Sequence, residues 1–366
     1  MGIEIAFAHT SFKWTNLASH NAGVTVVVVG LTKGPTAGGT LYEQNGVSSP
    51  IARKVPKINC YLVGGADVIV DGQSMAHDQR GRMVWGNKPT DDGNFFFTSD
   101  ERAALLFAHP NASAYIRPFF GSIEFIRGIE RHCLWLRDDE VEIIKAVPEL
   151  SLRVNRVREF RAASKAAETR PASAFPHRFR QVQGVGQRHS FVIPKVSSET
   201  RQYLPVGLLP RTAIVSDNAF AIYDAPLWNM ALIASRLHLV WIATVCGKLE
   251  TRYRYSNTLG WNTYPVPPLT ENQKAELTRC AEDILLARES HFPATIADLY
   301  DPDAMPDNLR AAHDKNDETL ERIYIGRRFK NDTERLEKLF DMYTKMTAKA
   351  DGDAKPKKAK KGQPEP

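Results

Sequence analysis

Glu250, Arg252 and Arg254 alternate in the segment Leu249–Trp261, LETRYRYSNTLGW. On an extended chain successive side chains point to opposite faces, so these three share one face while Tyr253 and Tyr255 take the other. Alternating carboxylate and guanidinium groups suit the reading of base edges. An arginine can grip guanine O6 and N7 in a fork, and a glutamate can accept from cytosine N4. A plain surface Glu–Arg pair fits the same spacing, contributes little energy, and is what spacing alone favours. Upstream, Ser151–Arg211 holds twelve Lys or Arg against three Glu and no Asp. That local excess suits a polyanion, or is a solvated basic face.

Catalytic constellations are missing from the sequence. It has no Walker loop, no glycine-rich dinucleotide fingerprint after a strand, no H-E-x-x-H and no G-x-S-x-G. Gln183–Gln187, QGVGQ, has two glycines but no strand–turn–helix setting for a phosphate. His9 and His20 flank a polar loop, and His9 with Asp67 or Asp71 could form a relay, but no nucleophile motif lies near. Asp91 and Asp92 read as turn residues. Cys60, Cys133, Cys246 and Cys280 are far apart, which argues for reduced packed thiols rather than disulfides or zinc.

The elements that must position these residues are coarse but readable. The chain has 366 residues, 43% of them hydrophobic and 25% charged, with a formal net charge of +6. These values fit two or three folded units and exclude fibrous or wholly disordered classes. No apolar run reaches membrane-spanning length and no secretory signal opens the sequence, so a cytoplasmic location without a membrane partner is expected. Val24–Leu31, VTVVVVGL, reads as a strand buried on both faces. Cys60–Val63 and Asp67–Val70 read as short strands, and Glu101–Ala108 as a helix capped at Ser99 or Asp100. Glu149–Thr169 and Leu227–Cys246 each read as one helix. Thr270 with Gln273 forms a capping-box pattern that opens a run of C-terminal helices. The lysine-rich tail from 347 to 366 reads as disordered.

The opening IEIAFAHTSFKWTNLASHNAGVTVVVVGL resembles the late part of the methyltransferase domain of MmeI-like restriction-modification enzymes. The resemblance continues in order through KINCYLVGGADVIV, MVWGNKPTDDGN, YIRPFFGSIEFIRG with HCLWL, VIPKVSSETRQYLP and CGKLETRYRYSNTLGWNTYPVP. It covers about Gly2 to Tyr343. It implies an α/β remnant of a class I methyltransferase sheet over 1–58. A mixed α+β target-recognition domain would follow over 59–265, and a small α-helical C-terminal domain over 266–346.

Such enzymes carry an Asn-Pro-Pro motif for a flipped adenine and a glycine-containing loop for S-adenosylmethionine. Here the only Pro-Pro, Pro267–Pro268, follows Val266, and neither that loop nor an endonuclease is recognisable. The resemblance therefore implies a DNA-recognition portion with no catalytic, cofactor or metal residues of its own. Double-stranded DNA would be its partner. An upstream fragment with the Asn-Pro-Pro motif would supply catalysis and S-adenosylmethionine. A stand-alone sequence-specific binder and a nonfunctional gene fragment remain alternatives. Within this frame Glu250 and Arg252 are expected to choose one base pair, because the matching family positions covary, and Arg254 lies on their face. Arg178, Arg180, Arg188, Lys195 and Arg201 are expected to supply phosphate and groove contacts, and Lys88 to lie near the flipped base.

Overall fold

The computed structural model describes residues 2–14, 24–35, 37–43, 50–249 and 251–353. Among them, no helix is long and apolar enough to cross a membrane. The chain divides into two compact units. One comprises the residues up to Asp71, Thr263–Pro267 and those from Phe329 on; the other comprises Gly72–Asn262 and Pro268–Arg328.

The first unit is built on a mixed four-stranded sheet in the order β2-β1-β3-β4. Strands β1 (Ile3–Trp14) and β2 (Val24–Lys33) pair antiparallel, β1 and β3 (Gly39–Glu43) parallel, and β3 and β4 (Ile51–Val55) antiparallel. Ala8, Leu41, Val55 and Ile58 form its small core. The last helix, here α10 (Asp332–Asp353), belongs to the same unit. Arg53 ties β4 to it through Glu337 at 2.8 Å, Tyr61 stacks on Phe340, and the Tyr343 hydroxyl accepts from the Asp71 N–H.

The expectation of a doubly buried strand at Val24–Leu31 is corrected. β2 is an edge strand, with Val27 48% and Leu31 66% exposed. β-Branched residues favour an extended backbone whether or not a second layer covers them, so the strand was legible and its burial was not. The Phe7 ring of β1 lies where a side chain at Gly30 would stand, so a larger residue there would displace the ring.

Among the described residues the second unit holds three small sheets. One runs β11 (Gly207–Pro210), β9 (His189–Pro194), β13 (Ala219–Tyr223), β5 (Val84–Trp85). A second runs β12 (Ile214–Val215), β7 (Ile116–Phe120), β8 (His132–Leu134), β6 (Phe96–Phe97). The third is β10 (Val196–Ser197), β15 (Arg252–Arg254), β14 (Lys248–Leu249). Phe95, Phe119, Trp135 and Phe179 join Leu150, Val154 and Val157 in the main core.

Helix α1 (Ser99–Ala108) is capped by Thr98 rather than by Ser99 or Asp100, with Glu101 closing the capping box. After α2 (Ser122–Arg127) and α3 (Glu142–Ala146), α4 spans only Pro148–Ala162 of the expected Glu149–Thr169. Leu227–Cys246 is two helices, α5 (Trp228–Ile233) and α6 (Arg236–Val245). Ser235 breaks the run: its hydroxyl accepts from the His238 N–H and caps α6. Cys60–Val63 is a turn, because the Asn59 carboxamide accepts from the Tyr61 and Val63 N–H groups. Asp67–Val70 forms no strand. The Thr270–Gln273 capping box does open α7 (Glu271–Glu289), and α8 (Ile296–Leu299) and α9 (Asp307–Ile325) follow.

His238 lies in the first turn of α6, fully buried, 2.8 Å from the Tyr255 hydroxyl. Burial, helped by the charge of Arg80, pushes its pKa down to about 3, and His313 on α9 is shifted down for the same reason. A folded-state value below the unfolded one means the unfolded chain takes up protons first. Stability present above about pH 6.5 is therefore lost as pH falls through this range. The denaturant midpoint is expected to drop steadily on acidification, and His238→Gln to be less stable at neutral pH but to show a shallower decline. Urea unfolding followed by circular dichroism across pH checks this; an unchanged slope in the variant would remove His238 as a cause.

Candidate nucleic-acid interface

Helix α4 buries Leu150, Val154 and Val157 at four- and three-residue steps, and Arg161 occupies the next position on that stripe. Its guanidinium is buried and every N–H donates to a backbone carbonyl. Nε reaches Thr90 (2.9 Å), Nη1 reaches Ala172 (3.1 Å) and Phe175 (2.9 Å), and Nη2 reaches Pro89 and Arg178 (both 2.8 Å). Burial lowers its pKa to about 10, with Arg180 and Arg178 adding repulsion and Asp91 opposing the shift, so it stays charged at neutral pH. Arg153 is consumed similarly, lying over the Phe97 ring and bonded to Glu101 and the Phe96 carbonyl. Part of the basic excess of this helix is thus internal structure, neither a polyanion footprint nor a solvated face.

Arg161 fixes two strips of backbone that carry other expected contacts. Lys88 and Gln181 exchange both backbone hydrogen bonds, and the Arg180 N–H donates to Pro89. Lys88, Arg178 and Arg180 are thereby brought together. Thr90 is held at φ 51°, an uncommon conformation for a β-branched residue, with its carbonyl on Arg161. Arg178 lies over Phe175 and pairs with Asp138 at 2.8 Å, and Asp138 also meets His177. Arg180 touches the Glu168 carbonyl at 3.3 Å.

A second group forms around the sheet β10-β15-β14. Arg252 and Arg254 are exposed, Tyr253 is half-buried and Tyr255 is buried, so the expected alternation is present. Glu250 lies outside the described residues. The Tyr255 N–H donates to the Lys195 carbonyl, and Val196 pairs with Arg254, which sets Lys195 beside the two arginines. Lys195 Nζ lies 3.3 Å from the centroid of the Trp85 ring and donates to the Asp217 carbonyl. Burial pushes its pKa down to about 8, with the charge of Lys88 adding to the effect and that of Asp217 opposing it.

The remaining candidates lie elsewhere. Arg188 is exposed and bonded to the Asp224 carbonyl. Arg201 is half-buried near Asp301 and Tyr300, and burial lowers its pKa. His9 stacks on Tyr42 and Asp67 pairs with Lys57, while His20 lies outside the described residues. Asp91 is buried and accepts from the Phe95 N–H, in keeping with a turn role. The two glycines of QGVGQ are structural: Tyr223 crowds Gly184, which has φ 153°, and the His189 carbonyl leaves no room for a side chain at Gly186. Asn87 clamps this loop, its Oδ1 accepting from Gln183 and its Nδ2 donating to Gly184 and Val215. Sequence reasoning missed Trp85, Asn87 and Arg161. For Arg161 the signal was its place on the apolar stripe of α4.

Comparison with known proteins gives matches along the chain in a fixed order. Residues 1–43 match the model of the MmeI DNA-methyltransferase domain, 64–268 that of the MmeI target recognition domain, and 269–350 that of the MmeI C-terminal domain. The curated DNA methyltransferase A of Bacillus subtilis (strain 168) is 37% identical over 346 residues, which are 94% of this chain and 39% of the relative. A solved structure of the type IIL restriction-modification enzyme MmeI in complex with DNA superposes with a TM-score of 0.80 at 37% identity, covering 95% of this chain and 46% of that one. The chain thus spans less than half the length of either relative.

Arg161→Lys is expected to destabilise the second unit by about 3 kcal/mol or more, since one ammonium has three donors and leaves buried carbonyls unmet. Urea denaturation measures this; an unchanged midpoint would show that the carbonyls find other partners.

Proposed function

The chain belongs to the MmeI family, and we propose that it is the DNA-recognition portion of a SAM-dependent, adenine-specific DNA methyltransferase of a restriction-modification system. The observation that carries this reading is the exposed pair Arg252 and Arg254 beside Lys195, inside the stretch that matches the target recognition domain. In this reading Arg252 grips a guanine, and Glu250 accepts from a cytosine amine or braces the arginine. Lys88, Arg178, Arg180, Arg188, Lys195 and Arg201 meet phosphate or groove edges, which sets register rather than sequence. Lys88 lies nearest the base that leaves the stack.

The residues here do not fit S-adenosylmethionine. Pro267–Pro268 lacks a preceding Asn, and the glycines of QGVGQ are crowded by Tyr223 and His189. The cofactor and the transfer step are assigned to a part of the enzyme outside these residues that carries the Asn-Pro-Pro motif. Residues 1–58 would complete its class I sheet, residues 59–265 would read DNA, and 266–346 would form the helical C-terminal domain. The exposed valines of the edge strand β2 favour this complemented form over a stand-alone binder, because an apolar open edge is a surface that calls for a partner.

Two measurements test the reading. The purified chain is expected to bind duplex oligonucleotides in preference to heparin, with affinity falling steeply with salt. Together with the catalytic part, whether joined to it or co-expressed, it is expected to yield site-specific adenine methylation, and Glu250→Lys with Arg252→Asp is expected to change the methylated motif rather than abolish it. Absence of duplex preference refutes the reading, and an unchanged motif refutes the assignment of the pair. Arg180→Ala is expected to weaken binding to all sequences alike and reduce the salt slope by about one. Lys195 is charged below about pH 8 and neutral above it. Duplex affinity is therefore expected to fall between about pH 7 and 9, and Lys195→Met to lack that step in a binding titration.

A further inference from the structure

Trp85 is an exposed indole on a fixed base. Its strand β5 is the edge of a four-stranded sheet, paired with β13 at Phe220 and Ala221. The ring meets Phe220 edge-on, with centroids 5.9 Å apart and planes at 85°. Phe220 in turn meets Tyr255, and Tyr255 meets His238, so the ring stands at the open end of a packed aromatic row. The backbone beneath it is immobilised. Gly86 donates to Ala219 and lies so close to the Ser216 carbonyl that no side chain fits, and the next residue is the clamped Asn87. Even so, 54% of Trp85 is open to solvent.

The indole is also electrostatically dressed. The Lys195 ammonium sits over one face at 3.3 Å from the centroid, held there by the Asp217 carbonyl. Lys88 is exposed three positions along the same strip, close enough for its charge to act on Lys195. A rigid exposed aromatic ring with one ammonium group on its face and a second on the same backbone strip matches the two halves of a nucleotide. The ring offers a stacking surface, and the ammonium groups offer partners for the phosphate.

We propose that Trp85 stacks on a nucleobase that has left the duplex stack, with Lys195 and Lys88 meeting the adjoining phosphates. The base must be unstacked, because inside an intact duplex both of its faces are covered by neighbours. Stacking accepts any base, so Trp85 adds affinity for opened DNA without adding sequence preference. This proposal rests on the DNA-recognition reading above and adds to it a residue that senses distortion.

The test uses the full chain and two labelled duplexes of one sequence, one fully paired and one carrying a single unpaired 2-aminopurine. The wild type is expected to bind the second about tenfold more tightly and to quench its fluorescence. Trp85→Ala is expected to lose both effects, binding the two duplexes equally well without quenching, and Trp85→Phe to retain most of the preference. Retained preference and quenching in Trp85→Ala, or no preference in the wild type, overturns the proposal and leaves the DNA-recognition reading intact. Failure of the wild type to bind either duplex overturns both. Equal loss for both duplexes in Trp85→Ala assigns the ring a structural role and also overturns the proposal.

Discussion

A single buried guanidinium organises the second unit. Taking Arg161 out of water is costly, and the cost is offset only because all five of its N–H groups find backbone carbonyls. Those carbonyls come from the 89–90 turn, the 172–175 turn and residue 178, segments far apart in sequence. Only a planar fork of fixed donors can hold them together. It anchors the two backbone strips that carry Lys88, Arg178 and Arg180. A chain without this contact would keep the Lys88–Gln181 backbone pair and the Arg180–Pro89 hydrogen bond, yet lose the tie that anchors both strips to α4.

The same economy recurs in Asn87, whose carboxamide joins the QGVGQ loop to β12. Two internal polar side chains therefore do the positioning, and the exposed cations are passengers on backbone that others hold. Most of these cations are already engaged: Arg178 by Asp138, Arg188 by Asp224, Lys195 by Trp85 and Asp217. Engagement of this kind restricts the rotamers of long side chains before a ligand arrives, which reduces the ordering cost of binding. It also explains why counting charges overstated the available basic surface.

What was legible depended on how local the cause was. The Thr270–Gln273 cap and the alternation from Arg252 to Tyr255 are set by neighbours within a few residues, and both appear in the structure. The ordered run of segments resembling MmeI-like enzymes was legible because so many pieces kept their sequence order, and the family matches follow it. Burial of β2 was not legible, because it depends on what covers the strand and not on the strand itself. The break at Ser235 was hidden inside an apolar run that two helices share. Arg161 was hidden by composition: a buried arginine and a solvated one look alike until the carbonyls that surround it are known.

The first unit contains both the opening strands and the final helix, joined by Arg53–Glu337, Tyr61–Phe340 and Asp71–Tyr343. On the ribosome the early strands must wait for α10 to emerge. At ordinary translation speeds of about 5–20 residues per second, that interval is on the order of tens of seconds. For that time the nascent sheet lacks its ties to α10, while the second unit lies largely between the two segments and can fold first. Helix α10 is therefore the closing piece of a sheet whose strands are made well before it.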